Sequence, residues 1–233
     1  MSEYWKRHYL ESSKQFAGSL LKQVGKTVNG NEVTENQVQL IVDNIQHVLN
    51  LNAADTVLDL CCGNGLLTRR YAPLVKRIVA VDYTPGFIEM ALQVNHYENI
   101  DYVNADVLKL GPQYRRGVNK VIMYEALQHL TLEGFRSLLG ELRDLGEGTR
   151  FFIASIPDRT KLKMYYDTED KFAFYMRREA EGAPHIGRWW VFEEIDRISS
   201  LNGFEAHKLQ QAPSLYTAYY RFDVILKKQS CEK

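Results

Sequence analysis

The chain has 233 residues, 45% of them hydrophobic, which is enough for one large domain or a domain with a modest insert. Its 29 Lys and Arg balance 29 Asp and Glu, and that zero net charge argues against nucleic acid as a partner, because counterion release needs a basic excess or patch. No apolar run approaches a membrane span, the polar start Met1–Phe16 does not read as a signal peptide, and Cys61, Cys62 and Cys231 form neither a disulfide framework nor a CxxC metal pair, so a reduced, cytoplasmic protein without metal or membrane attachment is expected.

Residues 1–35 form a polar, partly helical lead-in containing Gln23-Val-Gly-Lys-Thr-Val-Asn-Gly30. From Asn36 to Asn50, Val38, Ile41, Val42, Ile45, Val48 and Leu49 fall on one face of a helix, with Thr34 and Gln37 spaced as a capping box. Thr56–Leu60 reads as a short buried strand, followed by a glycine-rich turn and a helix over about 65–75. Arg77–Asp82 is a second strand, and Pro85 suits the first turn of the next helix. Asp101–Ala105 and Lys120–Tyr124 are the third and fourth strands. A leucine-rich helix from Leu132 toward Leu145 precedes a fifth strand, Arg150–Ser155.

The alternation then breaks at 157–188, an insert rich in Tyr, Phe, Lys and Arg, and resumes with a helix over 191–201. Two final strands, 204–210 and 219–228, are too close for a crossover helix and are expected to run antiparallel. The pattern predicts an α/β fold: a doubly wound, mainly parallel seven-stranded sheet with an antiparallel last strand, helices on both faces, a lead-in and a lid-like insert after strand five.

In such sheets ligands lie beyond the carboxyl ends of the strands, at the topological switch point. Strand one ends in Asp59-Leu-Cys-Cys-Gly-Asn-Gly65, whose glycines allow backbone to approach a ligand. Strand two ends in Asp82, a carboxylate placed to accept ribose hydroxyls, and strand three in Asn104-Ala-Asp106, able to accept from an exocyclic amine.

These three strand ends resemble the motifs of class I S-adenosylmethionine-dependent methyltransferases: Val57–Gly65 is similar to the first motif, Val79-Ala-Val-Asp82 to the second, Asn104-Ala-Asp106 to the third, and Val121–Leu130 to the strand-four segment. Cys61 stands where that family most often has its first glycine. The resemblance covers about 36–156 and 191–228, and it implies a methyltransferase domain at 36–233, capped by 1–35 and covered over the substrate by 157–188. It further implies that Asp59, Cys61, Gly63 and Gly65 shape the loop around the amino-acid part of S-adenosylmethionine, that Asp82 binds the ribose, that Asp106 and Val107 face the adenine, and that Tyr124 flanks the methionyl side. Lys26 is read either as a further partner for the carboxylate or as a solvated lysine.

The implied reaction moves a methyl group to a small-molecule acceptor, with a hydroxyl oxygen as the expected nucleophile and S-adenosylhomocysteine as product; a small amine or sugar nitrogen is the alternative acceptor. His129, just beyond strand four, is the first choice of general base, with His185 second. Glu125 suits either an amine substrate or a helix cap. A nicotinamide-dependent oxidoreductase fits less well, because position 68 is Thr where a dinucleotide loop wants its third glycine. A non-catalytic subunit of the same fold is the remaining reading, opposed by the intact glycine loop and acidic strand ends. Bases in the insert hint at an anionic acceptor, though acids accompany them.

Overall fold

Seven strands make the central sheet in the computed structural model, which describes residues 3–230; Cys231 lies outside them. In chain order these are β1 (Thr56–Leu60), β2 (Arg77–Asp82), β3 (Ile100–Asn104), β4 (Lys120–Tyr124), β5 (Arg150–Pro157), β6 (Phe204–Gln210) and β7 (Arg221–Lys228). Their spatial order is β3-β2-β1-β4-β5-β7-β6. The first five are parallel, and β7 inserts antiparallel between β5 and β6. The seven-stranded α/β sheet with its antiparallel last strand is therefore the observed fold.

Strand periodicity explains the two cores. Leu58, Val121, Met123, Phe151 and Ile153 face one layer, packed against α6 (Leu132–Glu141) and α9 (Phe192–Ser200). Their sequence neighbours Val57, Ile122, Phe152 and Ala154 face the other, against α3 (Glu35–Leu49) and α4 (Thr68–Tyr71). Thr34 caps α3, its side chain accepting from the Gln37 amide at 3.4 Å. The helix after the glycine loop is shorter than its pattern suggests. It passes into a tight turn at Ala72–Leu74 because Pro73 has no amide hydrogen to continue the ladder. α6 likewise ends at Glu141, four residues before the apolar periodicity does.

The lead-in forms α1 (Glu3–Gln15), α2 (Leu20–Gln23) and a two-residue hairpin, with α1 lying on α5 (Pro85–Val94). The insert forms α7 (Leu162–Tyr165) and α8 (Glu169–Ala180), gathered around buried Tyr166, Trp189 and Tyr220. No helix among the described residues is long and apolar enough to cross a membrane, and none of their His, Cys, Asp and Glu side chains cluster in a metal-binding group.

Candidate active site

A pocket opens at the carboxyl ends of β1, β2 and β4, at the switch point where the chain leaves β1 in opposite directions. Asp59, Cys61, Gly63, Asp82, Tyr124 and His129 all line it. Tyr9, Val24 and Lys26 of the lead-in close it from above. Gly65, Asp106 and Val107 lie outside the lining: Gly65 backs onto the Tyr102 ring, Asp106 is exposed and accepts from the Leu108 amide at 3.0 Å, and the Val107 side chain belongs to the core.

Asp82 ties two loops together, accepting the Gly63 amide at 3.0 Å and the Thr84 amide at 2.8 Å. Burial raises its carboxyl above the ordinary value even with these donors. Gly63 has φ +57°, and a Cβ there would lie 2.9 Å from Val24 Cγ1, so the lead-in rests directly on the glycine loop. Asp59 accepts from Thr68 Oγ1 at 2.6 Å and from the Tyr71 hydroxyl, which anchors the loop to the helix that follows. Burial outweighs both donors and lifts Asp59 to about 6. The Cys61 and Cys62 thiols are pushed well up by burial, so neither is available as a thiolate.

Three non-glycine residues on adjacent strands adopt left-handed backbone: Cys61 (φ +60°) just past β1, Glu125 (φ +51°) just past β4, and Ser155 (φ +61°) at the bulge inside β5. Such conformations cost on the order of 1–3 kcal/mol each and gather where function requires them. Glu125 is the hub of a buried polar cluster: it accepts from Lys26 Nζ, from Ser155 Oγ at 3.1 Å and from the Tyr216 hydroxyl at 3.4 Å. Burial opposes its ionisation, but Lys26 and Arg221 more than offset this and hold the carboxyl below its usual value. Lys26 is 3% exposed and also sits 4.2 Å from the centre of the Tyr124 ring. The sequence offered Lys26 and Glu125 separate partners; the fold pairs them with each other. Ser155, Tyr216, Arg221 and Tyr9 carry no local motif and were not legible beforehand.

His129 is buried, its ring centroid 4.2 Å from that of Trp5 and its Nε2 2.8 Å from the Tyr9 hydroxyl. Its Nδ1 has no partner. Burial, with Arg221 and His8 nearby, lowers the imidazole to about 3, so it is neutral at physiological pH. His185 instead bonds the Tyr166 hydroxyl at 3.2 Å within the insert and lines no part of this pocket. On the far side of His129 lies a second cavity of about 430 Å³, between Trp5, the Gln128–Thr131 turn and the insert. His129 is part of both walls.

Residues 57–147 match the family described as methyltransferase domain. The chain is similar over 91 residues, at 32% identity, to the 23S rRNA (uracil(1939)-C(5))-methyltransferase RlmD of Haemophilus parainfluenzae; the similarity takes in 36% of this chain and spans only 21% of that enzyme. Among solved structures it resembles magnesium protoporphyrin IX methyltransferase (ChlM) from Synechocystis PCC 6803 with bound S-adenosylhomocysteine (TM-score 0.63, 18% identity, 97% of each chain). It also resembles the N-methyltransferase NodS from Bradyrhizobium japonicum in complex with the same molecule (TM-score 0.65, 16% identity, 95% of this chain and 99% of that one). Those likenesses concern the fold. The domain match covers residues 57–147, the stretch from β1 to just before β5 that carries the glycine loop and Asp82.

Proposed function

We propose that the chain methylates a hydroxyl oxygen of a small molecule, with His129 removing the proton. The observation that carries this reading is that His129, with an unpartnered Nδ1, stands in the common wall of the strand-end pocket and the second cavity. S-adenosylmethionine supplies a methyl carbon activated by its sulfonium, so that transfer makes one C–O bond, breaks one S–C bond and releases the hydroxyl proton. The pocket's residues fit that group. The Thr84 and Tyr124 hydroxyls, both in the lining, are buried without partners, and Gly63 leaves the loop backbone bare.

Asp82 would accept the ribose hydroxyls. Leu66 and Phe87 supply apolar faces for the adenine. Lys26 has three donors on Nζ and can hold Glu125 while receiving a second carboxylate, that of the methionine. Tyr124, beneath Lys26, bounds the methionyl side.

Alignment of donor and acceptor does most of the work, on the order of 7–11 kcal/mol of barrier. If Nε2–H donates to the Tyr9 oxygen, Nδ1 keeps a lone pair for the acceptor proton. So weak a base suits a proton that leaves only as the new bond forms, and it stays unprotonated throughout the physiological range. The test uses labelled S-adenosylmethionine and the small-molecule fraction of a cell extract, with cofactor affinity measured by titration calorimetry. His129→Ala should lower turnover at least about tenfold while cofactor affinity stays within a few-fold. Unchanged turnover would exclude the base and point to an amine acceptor, which can lose its proton after transfer.

A further inference from the structure

The second cavity has features that a mere gap under an insert would lack. Four of the side chains lining it hold buried polar atoms with no partner in the protein: Gln128 Oε1, His129 Nδ1, Arg188 Nε and Trp189 Nε1. Gln128, His129 and Trp189 are each more than nine-tenths buried. Unsatisfied buried polar groups are rare and costly, at about 1–3 kcal/mol each, so four around one cavity indicate a missing partner. Indole and phenol rings line the same space: Trp5 from the lead-in, Tyr175 and Trp189 from the insert and its end.

The wall is also clamped. Gly187 has φ +105° and a Cβ on it would lie 2.5 Å from the Gln128 carbonyl oxygen, while the Arg188 amide donates to that same oxygen at 2.8 Å. Only glycine allows the end of the insert to dock this closely on the turn that carries His129. The cavity is therefore a formed element, and its volume of about 430 Å³ falls within the roughly 300–1,000 Å³ of small-molecule sites.

Its charges select among ligands. Arg188 pairs with Glu194, behind the lining, at 3.0 Å and Arg159 with the same carboxylate at 3.5 Å, while Glu179 is the carboxylate in the lining itself. Two cations thus face two acids, and the net field offers nothing to hold a phosphate or carboxylate. Of the insert's other basic residues, Lys171 pairs with Asp167 and Arg178 with Glu181, and Lys161, Lys163 and Arg177 do not line the cavity. The unpartnered atoms include indole and guanidinium N–H donors and an amide oxygen acceptor. These atoms come from two separate segments, Gln128–His129 and Arg188–Trp189, so their partner must present several polar groups in different directions. A ring with hydroxyls around its edge and C–H groups on its faces does so, since each hydroxyl both donates and accepts and the faces lie on aromatic rings.

We propose that this cavity is the acceptor site and that it takes a neutral sugar ring. The inference rests on the methyltransferase reading above for the word acceptor, but the cavity's ligand chemistry is tested independently of it. The full-length protein, with and without saturating S-adenosylhomocysteine, is titrated with a panel of methyl glycopyranosides and with simple phenols. Binding is followed by ligand-observed NMR and by fluorescence, since two of the three tryptophans line the cavity. At least one glycoside should bind saturably at millimolar concentration. Trp189→Phe keeps the aromatic face and removes one N–H donor, so it should weaken that glycoside about fivefold or more without changing S-adenosylhomocysteine affinity. Arg188→Lys keeps the charge opposite Glu194 but loses Nε–H; it is the second probe should the first variant fold poorly. Binding of phenols but no glycoside, or glycoside affinity indifferent to both variants, overturns the proposal. Failure of S-adenosylhomocysteine to bind while glycosides do would overturn the cofactor reading alone.

Discussion

The strand-end pocket has two walls of unlike construction. One consists of the ends of β1, β2 and β4, rooted in strands where Val57, Leu58, Val81 and Val121 are wholly buried. The other is the lead-in, in which Trp5 and Val33 are the only large apolar side chains buried among residues 3–33. It is held by hydrogen bonds instead: Ser12 Oγ to the Gln23 carbonyl at 2.8 Å, Gln23 Nε2 to the Ser13 carbonyl at 3.1 Å, Asn64 Nδ2 to Gln23 Oε1 at 2.8 Å, and the Tyr83 hydroxyl to the Lys6 carbonyl. Apolar burial contributes stability in proportion to area, whereas a hydrogen bond exchanged against water contributes only about 0.5–1.5 kcal/mol. The sheet wall is a fixed template, and the lead-in is a cover with little apolar anchorage, tied to that template by polar contacts that include the buried Lys26–Glu125 pair.

The sharpest test of the fixed wall is Phe152→Ala, which empties a wholly buried site between β5 and its helices. It should cost about 3–5 kcal/mol in urea unfolding, and a value below 1 kcal/mol would mean that the two walls do not differ as described. Next in size, Asp82→Asn removes a charged acceptor from the strand side. Cofactor affinity should fall by about 1.5–3 kcal/mol, roughly 10- to 150-fold by calorimetry, and unfolding stability should drop by about 1–3 kcal/mol because the one Asn oxygen can accept only one of the Gly63 and Thr84 amides.

Where the walls meet, His129 makes the comparison pH-dependent. Folded, it takes a proton only near pH 3; unfolded, near its ordinary 6.5, so between these values the unfolded chain holds the extra proton. The stability this group contributes is complete above about pH 6.5 and declines by about 1.4 kcal/mol per pH unit as pH falls toward 3. Between pH 7 and pH 5 the wild type should therefore lose about 2 kcal/mol more than His129→Gln. Equal losses would show that Trp5 and Tyr9 do not seal the ring. The smallest effect belongs to the cover. Gln23→Ala should change global stability by only about 1 kcal/mol while amides of α1 and α2 exchange several-fold faster than those of β1.

Local patterning carried much of the architecture. Arg77–Asp82, Lys120–Tyr124 and Phe204–Gln210 are strands over the bounds their apolar runs suggest, and the short link before the last strand foretold its antiparallel entry. Side-chain period and connection length are properties of neighbours in the chain. α4 escaped the pattern because Pro73 cut short a helix whose periodicity ran on. In the site, Gly63 and Asp82 were legible because nineteen residues of strand-helix-strand bring them to one edge, where they bond at 3.0 Å. Asp106 and Val107 looked equivalent by position, yet a turn after β3 carries them away from the pocket lining.

Alone, the sequence determined the α/β alternation, the sheet's antiparallel end and the glycine and acidic strand ends, because each depends on residue type at short, regular spacing. Tertiary structure decided which charges meet and which protons are held. Lys26 and Glu125 lie 99 residues apart and pair only because the lead-in folds back over β4. His129 owes its low proton affinity to the burial that Trp5 and Tyr9 help provide, together with the nearby positive charge of Arg221. Periodicity acts along the chain, while desolvation and Coulomb energy act through space, and no spacing rule encodes the second.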